Sequence, residues 1–416
     1  MTIRVDTMRR IDHLAGVPLC ALLTPFVKIS DWFKSSKASL NPPKKLLFIE
    51  LSEMGSAIIV DPAMRDAMDR GAEIYFLIFK SNQASLSLLN TVKKENILTI
   101  DASSLFSLIK TTLAFLITAR KLKIDTVIDL ELFSRFTALL TGLSGARRRI
   151  GYHAFHGEGL YRGDMLTHKV HYNPHIHIAK NFFSVVHAAF SKEAEKPFSK
   201  IIISDHKLKI AQAEVSQAQL NTVAEKIKTA AKVSNLAFTG PGNPHQPIIL
   251  VNPNASDLLP QRRWAPESFA KLISKCNQRW PEALILITGS PEEKQYAQNV
   301  LDLSKCPRAI NFAGQVTFKE LIPLYHLSNV MVTNDSGPGH FSSVTPLPTV
   351  VLFGPETPAL YRSLGNSIPV FAGLACSPCV SASNHRKTPC HDNACMKAIQ
   401  VEEVLEKMSI QMKSSI

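Results

Sequence analysis

The segment Val330-Met331-Val332-Thr333-Asn334-Asp335-Ser336-Gly337-Pro338-Gly339-His340 runs from an apolar strand-like stretch into an Asp-Ser-Gly turn and a helix start. At such a junction a hydroxyl meets backbone N–H groups that have no intrahelical acceptor, an arrangement suited to an anion. Asp-Ser is also ordinary helix-capping chemistry, so the segment gains meaning from its neighbours. Asn252-Pro253-Asn254-Ala255-Ser256, followed by Arg262-Arg263-Trp264, closes a second expected strand and brings cations. Thr288-Gly289-Ser290-Pro291-Glu292-Glu293 closes a third, with a carboxylate able to accept hydrogen bonds from a ribose diol. Phosphate donors, cations and a ribose acceptor at three strand ends describe a nucleotide-diphosphate site. Its candidates are Asn252, Ser256, Arg262, Glu293, Asp335, Ser336, Gly337 and His340.

A second pattern is Cys376-x2-Cys379-x10-Cys390-x4-Cys395, with His385 and His391 nearby. Structural zinc, a disulfide, or packed and redox-reactive thiols all fit; the second spacing is loose for zinc. Seven cysteines in a chain of this length form no disulfide framework and point to a reducing compartment.

These residues need strands to hold them. From Lys44 onward short apolar runs alternate with longer mixed segments, the pattern of parallel sheets covered by helices. The expected strands are 46–51, 73–79, 97–101, 126–130 and 149–152, then 247–252, 284–288, 309–313, 330–334, 349–353 and 369–371. The Gly/Pro-rich stretch at 239–246 reads as a linker. The expected organisation is an extension at 1–43, an α/β domain at 44–238, the linker, and an α/β domain at 247–416 with a Cys-rich tail. Each domain is doubly wound and Rossmann-like, and the two are expected to face across a cleft.

The chain has 416 residues, enough for two or three domains, and 45% hydrophobic with 19% charged residues excludes disorder. Forty-seven Lys and Arg against 34 Asp and Glu give a net charge of +13, favouring anionic partners. No helix-turn-helix, RNP or zinc-finger pattern supports nucleic acid as that partner. Residues 1–45 hold eight Lys or Arg and three Asp around an apolar stretch with Leu19, Leu22, Leu23, Phe26, Trp32 and Phe33. That composition fits a segment lying on an anionic membrane surface, or a helix docked on the protein itself. Leu14 to Val27 is too short to span a bilayer, and Asp6 and Asp12 interrupt the positive stretch a signal peptide needs. The apolar run Leu105 to Ala119 is expected to be a buried helix.

From about Lys44 to Met408 the chain resembles glycosyltransferase family nine, the ADP-heptose:lipopolysaccharide heptosyltransferases of GT-B fold. The resemblance rests on Ser144-Gly145-Ala146-Arg147-Arg148-Arg149-Ile150-Gly151, Arg263-Trp264-Ala265-Pro266-Glu267-Ser268-Phe269, the Asp335-Ser336-Gly337-Pro338 block and Cys376-Ser377-Pro378-Cys379. It implies inverting heptose transfer from an ADP-sugar to a lipid-linked saccharide acceptor, with no cofactor or metal, by a peripheral protein at the cytoplasmic face of the inner membrane. Diphosphate contacts would fall on Asp335, Ser336, Gly337, His340 and Arg262, and ribose contact on Glu293. Acidic acceptors would call for cations such as Arg147, Arg148 and Arg149, while the nearby His153, His156, His168, His171, His175 and His177 form no compact metal set. The catalytic base departs from the family pattern: Ser56 stands where the family carries Asp. A neutral hydroxyl cannot replace a carboxylate, so Glu53, three residues earlier, is the expected base, with Glu50 and Asp61 as alternatives. A weakly active nucleotide-sugar-binding or scaffold protein, or a transferase for another sugar, are the competing readings.

Overall fold

The computed structural model describes residues 5–33, 41–132, 134–156, 159–192, 195–381 and 386–413. The polypeptide divides into two units, Met1–Lys209 and Ile210–Ile416. The first contains β1 (Lys45–Ile49), β2 (Glu73–Phe79), β3 (Ile97–Ile100), β4 (Thr126–Asp129), β5 (Arg148–Tyr152) and β6 (His168–Val170). The second contains β7 (Ile248–Asn252), β8 (Leu284–Ile287), β9 (Ala309–Asn311), β10 (Val330–Asn334), β11 (Thr349–Phe353) and β12 (Ser367–Phe371). Both sheets are parallel, in the orders β3-β2-β1-β4-β5-β6 and β12-β11-β10-β7-β8-β9. Central strands such as β7, β8 and β10 are buried along their whole length, which explains their near-continuous Ile/Leu/Val runs. Eleven strands fall where the apolar runs place them. β6 does not announce itself, because His168-Lys169-Val170 has no apolar run; it pairs with β5 and, on its other side, only through an isolated bridge to Phe198.

The division at Lys209 corrects the expected linker at 239–246. The helix Gln217–Val233 belongs to the second unit: Lys226 Nζ donates to Gln315 O at 3.2 Å and to Glu320 Oε2 at 2.8 Å. The Ala213 N–H donates to Val344 O at 2.7 Å. These bonds fix 210–238 to the sheet that follows. The Gly/Pro stretch is a local turn, where Gly240 and Gly242 have φ of +136° and +88°.

Two helices, Val5–Leu14 and Gly16–Phe33, pack on the helix Arg135–Leu143. Gly16 permits the close approach, since a Cβ there would stand 2.7 Å from Arg135 Cβ. Cys20 and Val27 are buried against Ala138, Leu139 and Met165. Asp12 accepts from the Phe136 N–H at 2.9 Å and from Arg135 at 3.2 Å, while Asp31 pairs with Arg149. The extension therefore docks on its own unit and turns its remaining apolar residues outward. Among the described residues no single helix is long and apolar enough to cross a membrane.

Two expectations fail here. The helix Leu105–Lys121 buries only Phe115 and Ala119, while Leu105, Phe106, Ile109, Leu113 and Ile117 are exposed. A helix against a sheet covers one of its faces, and this sequence is apolar on both. Arg148 and Arg149, expected to meet an acceptor, are buried at the amino end of β5. Arg149 Nε donates to Met165 O at 2.7 Å and Nη1 to Ala146 O at 2.8 Å, with the Asp31 carboxylate completing its surroundings. Arg148 donates to Ala189 O, and only Arg147 is exposed. Desolvation makes an unpaired guanidinium costly, so these two are braces. Replacing Arg149 with Ala strips donors from two carbonyls and the partner from Asp31, and should destabilise the protein by about 3 kcal/mol in urea unfolding.

Candidate active site

In the second unit, Asn334 closes β10 and organises the carboxyl edge of the sheet. Its buried Nδ2 donates to Pro253 O at 2.9 Å and Asn254 O at 3.2 Å, and its Oδ1 accepts from the Trp264 N–H at 3.0 Å. Three bonds from one amide thus pin the loop after β7 and the segment carrying Arg262. Trp264 is buried behind it. Arg262 Nη1 donates to Asp335 O at 3.3 Å; its guanidinium lies 3.8 Å from the Asp335 carboxylate and 3.6 Å from that of Glu356. Glu356 follows β11, is 2% exposed and also faces Arg386 at 3.4 Å. Arg386 in turn lies over the Tyr361 ring, 4.8 Å from its centroid. Cations and carboxylates alternate, so each buried charge has an opposite neighbour.

This geometry sorts the sequence candidates. Arg262 is the cation at the strand edge. Arg263 turns away, bonding Ala255 O and Asp257. Asp335 cannot itself attract a phosphate; it orients Arg262. Ser336 is extended, and its hydroxyl donates to Asn334 O at 3.2 Å instead of capping the helix Gly337–Ser342, whose face also bears half-buried His340. Six residues align few peptide dipoles, so Arg262 is the stronger attraction for an anion there. Asn252 Nδ2 ties β7 to β8 through Thr288 Oγ1 at 3.2 Å. Glu293 Oε2 accepts from the Ser290 N–H at 2.7 Å in a capping box, which gives the carboxylate a structural part. Ser256 is exposed in a turn, where its hydroxyl accepts from the Leu258 N–H. Glu356 and Arg386 were missed. Glu356 had a readable signal, an acid three residues past a buried strand.

In the first unit, carboxylates gather where β1 and β4 end. Glu131 Oε1 accepts from the Leu51 N–H at 3.2 Å, the Ser52 N–H at 3.3 Å and Ser52 Oγ at 3.0 Å. Glu50 Oε1 accepts from the Glu53 N–H at 3.3 Å, and Glu53 Oε2 from Ser56 Oγ at 3.3 Å. Burial, then the charges of Glu131 and Glu53, pushes the Glu50 carboxyl well above the usual range. Glu50 is also 4% exposed and accepts from the Glu53 N–H, which leaves its carboxylate little access to a ligand. Asp61 is fully buried, bonded to Arg65 at 2.9 Å and to Thr91, which makes it structural. Glu53 is half-buried, and its carboxylate touches the side chain of Ser56. Glu131 was not anticipated from the sequence.

Beside this cluster lies a cavity of about 310 Å³ whose lining includes Asp129, Tyr152, His153, Phe155, Tyr161 and Arg162. Arg162 pairs with Asp129, and Thr137 Oγ1 donates to the same carboxylate at 3.2 Å. Burial nevertheless pushes Asp129 up to about 6, against the lowering effect of Arg162. Of the histidines, His153 lines this cavity, His168 is pushed down to about 4 by burial, and His177 caps the helix Ile178–Phe190.

The Cys-rich segment packs beside Glu356. The Cys379 N–H donates to Pro355 O at 3.0 Å, and Gln261 Nε2 donates to Cys390 O at 3.0 Å. Cys376 is exposed while Cys395 is buried, and the sulfurs of Cys379 and Cys390 hydrogen-bond Thr388 and the Asn393 N–H. Among the described residues no group of three or more His, Cys, Asp or Glu is arranged to hold a metal ion, so the zinc alternative finds no support; His385 lies outside the described residues.

Two doubly wound units in tandem, the second presenting a guanidinium at its carboxyl edge, define a protein of the GT-B fold class. Residues 117–388 match the model of glycosyltransferase family 9 (heptosyltransferase), and the chain belongs to that family. It is 30% identical over 173 residues to lipooligosaccharide heptosyltransferase 2 of Campylobacter jejuni, across 40% of this chain and 52% of that one. The chain thus spans about half the length of the curated relatives it matches. Its fold is that of the structure of E. coli ADP-heptose lps heptosyltransferase II, at 18% identity and TM-score 0.64, covering 89% of this chain and 99% of that one. The family 9 glycosyl transferase of Veillonella parvula is similar to the same degree, at 17% identity, TM-score 0.64, and 90% and 98% coverage.

The raised Asp129 carboxyl has a consequence for stability. Between about pH 4 and pH 6 the folded protein holds a proton that the unfolded chain has released, so stability falls as pH rises through that window. Asp129→Asn should abolish this contribution, flattening the pH dependence of thermal unfolding there by up to about 3 kcal/mol.

Proposed function

We propose that this chain is an inverting glycosyltransferase. It moves a heptose, or a related sugar, from an ADP-sugar to a lipid-linked saccharide during lipopolysaccharide core or surface-glycan assembly. The observation that carries the reading is Arg262, held between Asp335 and Glu356 beside Ser336 at the carboxyl edge of β7 and β10, in a member of the heptosyltransferase family. In this reading the acceptor oxygen attacks the anomeric carbon as the bond to ADP breaks, and the diphosphate leaves with the electron pair. Arg262 and the amides after Ser336 meet its growing charge, with no resident metal assigned. Glu53 takes the proton of the acceptor hydroxyl. Ser56 cannot do so, but it donates to Glu53 and thereby orients it. We place the reaction at the cytoplasmic face of the inner membrane, with the cavity at Asp129 and Arg162 as an acceptor pocket.

Ser56 also favours a second reading, a nucleotide-sugar-binding protein of weak turnover. Labelled transfer from a panel of ADP-sugars to membrane lipid extract separates the two: the first gives a labelled glycolipid, the second gives donor binding without one. Glu53→Gln should lower turnover by about 10²–10⁴-fold while ADP affinity stays within twofold. Wild-type turnover would remove Glu53 from the mechanism. Arg262→Ala should weaken ADP about 10–150-fold in calorimetry, the loss expected for one or more hydrogen bonds to a charged group.

A further inference from the structure

The exposed apolar surface of the first unit is concentrated on two helices. Gly16–Phe33 exposes Phe26, Trp32 (83%) and Phe33, and Leu105–Lys121 exposes Phe106 (76%), Ile109 and Leu113. Both pack on the helix Arg135–Leu143. The connections β3 to β4 and β4 to β5 step the same way along the sheet, so right-handed crossovers place 105–121 and 135–143 on one face. The two apolar helices therefore lie on one side of the unit. A patch drawn from two elements is more than scattered surface leucines.

Charge identifies its partner. Leu105–Lys121 contains Lys110, Arg120 and Lys121 and no acidic residue. On the N-terminal pair, Asp12 and Asp31 pair with Arg135 and Arg149, Arg10 is exposed, and half-exposed Lys28 is paired with Asp164 at 2.7 Å. Asp12 and Asp31 are thus held by buried arginines, while Arg10, Lys110, Arg120 and Lys121 stay at the surface beside large apolar and aromatic groups. A second copy of this chain would set these cations against one another, whereas anionic headgroups over acyl chains satisfy both components.

We propose that these two helices form one bilayer-docking face that seats the first unit on an anionic lipid surface, with Leu105–Lys121 as much a part of it as the N-terminal helices. The inference deepens the reading of a lipid-linked acceptor, but docking itself needs no turnover. It is tested by co-sedimentation of the full chain with phosphatidylethanolamine/phosphatidylglycerol vesicles that contain no glycolipid, against neutral phosphatidylcholine vesicles. The wild type should prefer the anionic vesicles at least tenfold. Phe106→Ser/Ile109→Ser/Leu113→Ser should lose tenfold or more of that binding, with an unchanged unfolding midpoint. Lys110→Glu/Lys121→Glu touches only exposed charges and should lose binding to anionic vesicles alone. Binding that survives both variants overturns the proposal. So does a lipid-free dimer, seen by light scattering, that the Ser variant dissolves. Transfer to a water-soluble, deacylated acceptor, measured in parallel, should be unaffected by either variant. Its failure in the wild type would count against the transferase reading and leave the docking result standing.

Discussion

Every strand pairing in both sheets is parallel, and the arrangement of polar groups follows from that constraint. A parallel strand cannot be reached by a hairpin, so each is preceded by a crossover and all carboxyl ends collect on one edge. Helices cover both faces and leave that edge for polar chemistry. In each sheet the strand order reverses once, between β1 and β4 and between β7 and β10, and loops leaving on either side of a reversal part to open a crevice. Glu50, Glu53 and Glu131 stand at the first reversal, Arg262, Asp335 and Ser336 at the second. Topology alone nominates these positions before any side chain is considered.

The two edges treat charge in opposite ways. At β7 and β10, Arg262 and Arg386 alternate with Asp335 and Glu356, so each guanidinium is held by a carboxylate and pre-oriented for a further anion. Removing one member leaves a buried charge uncompensated, which is why such networks act as units. At β1 and β4 three carboxylates crowd together. Their mutual repulsion, with burial, raises the Glu50 carboxyl, while Glu131 is held by three donors. The half-buried Glu53 is left as the member best able to exchange a proton with a ligand. The first arrangement suits holding an anion, the second moving a proton.

Much of the fold was legible because buried parallel strands carry apolar runs, as β1, β7, β8, β10 and β11 do. β6 escaped because an edge strand needs no such run. The family block Ser144–Gly151 runs into β5 and the Asp335–Pro338 block follows β10, yet the letters of the first misled about roles. Three arginines in a row read as a cationic surface, but burial at the start of β5 turns two of them into braces, and sequence does not report burial. Glu131 and Arg386 were invisible because their importance depends on neighbours 80 and 30 residues away. The exposed apolar face of 105–121 was hidden for a different reason: a helix apolar all round reads as buried whether its outer face meets protein or not.

The docking of the N-terminal helices also bears on the order in which the chain can fold. Asp12 and Asp31 find Arg135 and Arg149 at sequence separations of 123 and 118 residues. At ribosomal rates of roughly 5–20 residues per second, the helices wait on the order of ten seconds before their partners are even synthesised. Closing so long a loop comes late, after β1 to β4 have assembled by local crossovers. Throughout that interval the helix carrying Phe26, Trp32 and Phe33 lacks the surface on which it packs, so the first surface it meets is set by the surroundings of the ribosome and not by the finished protein.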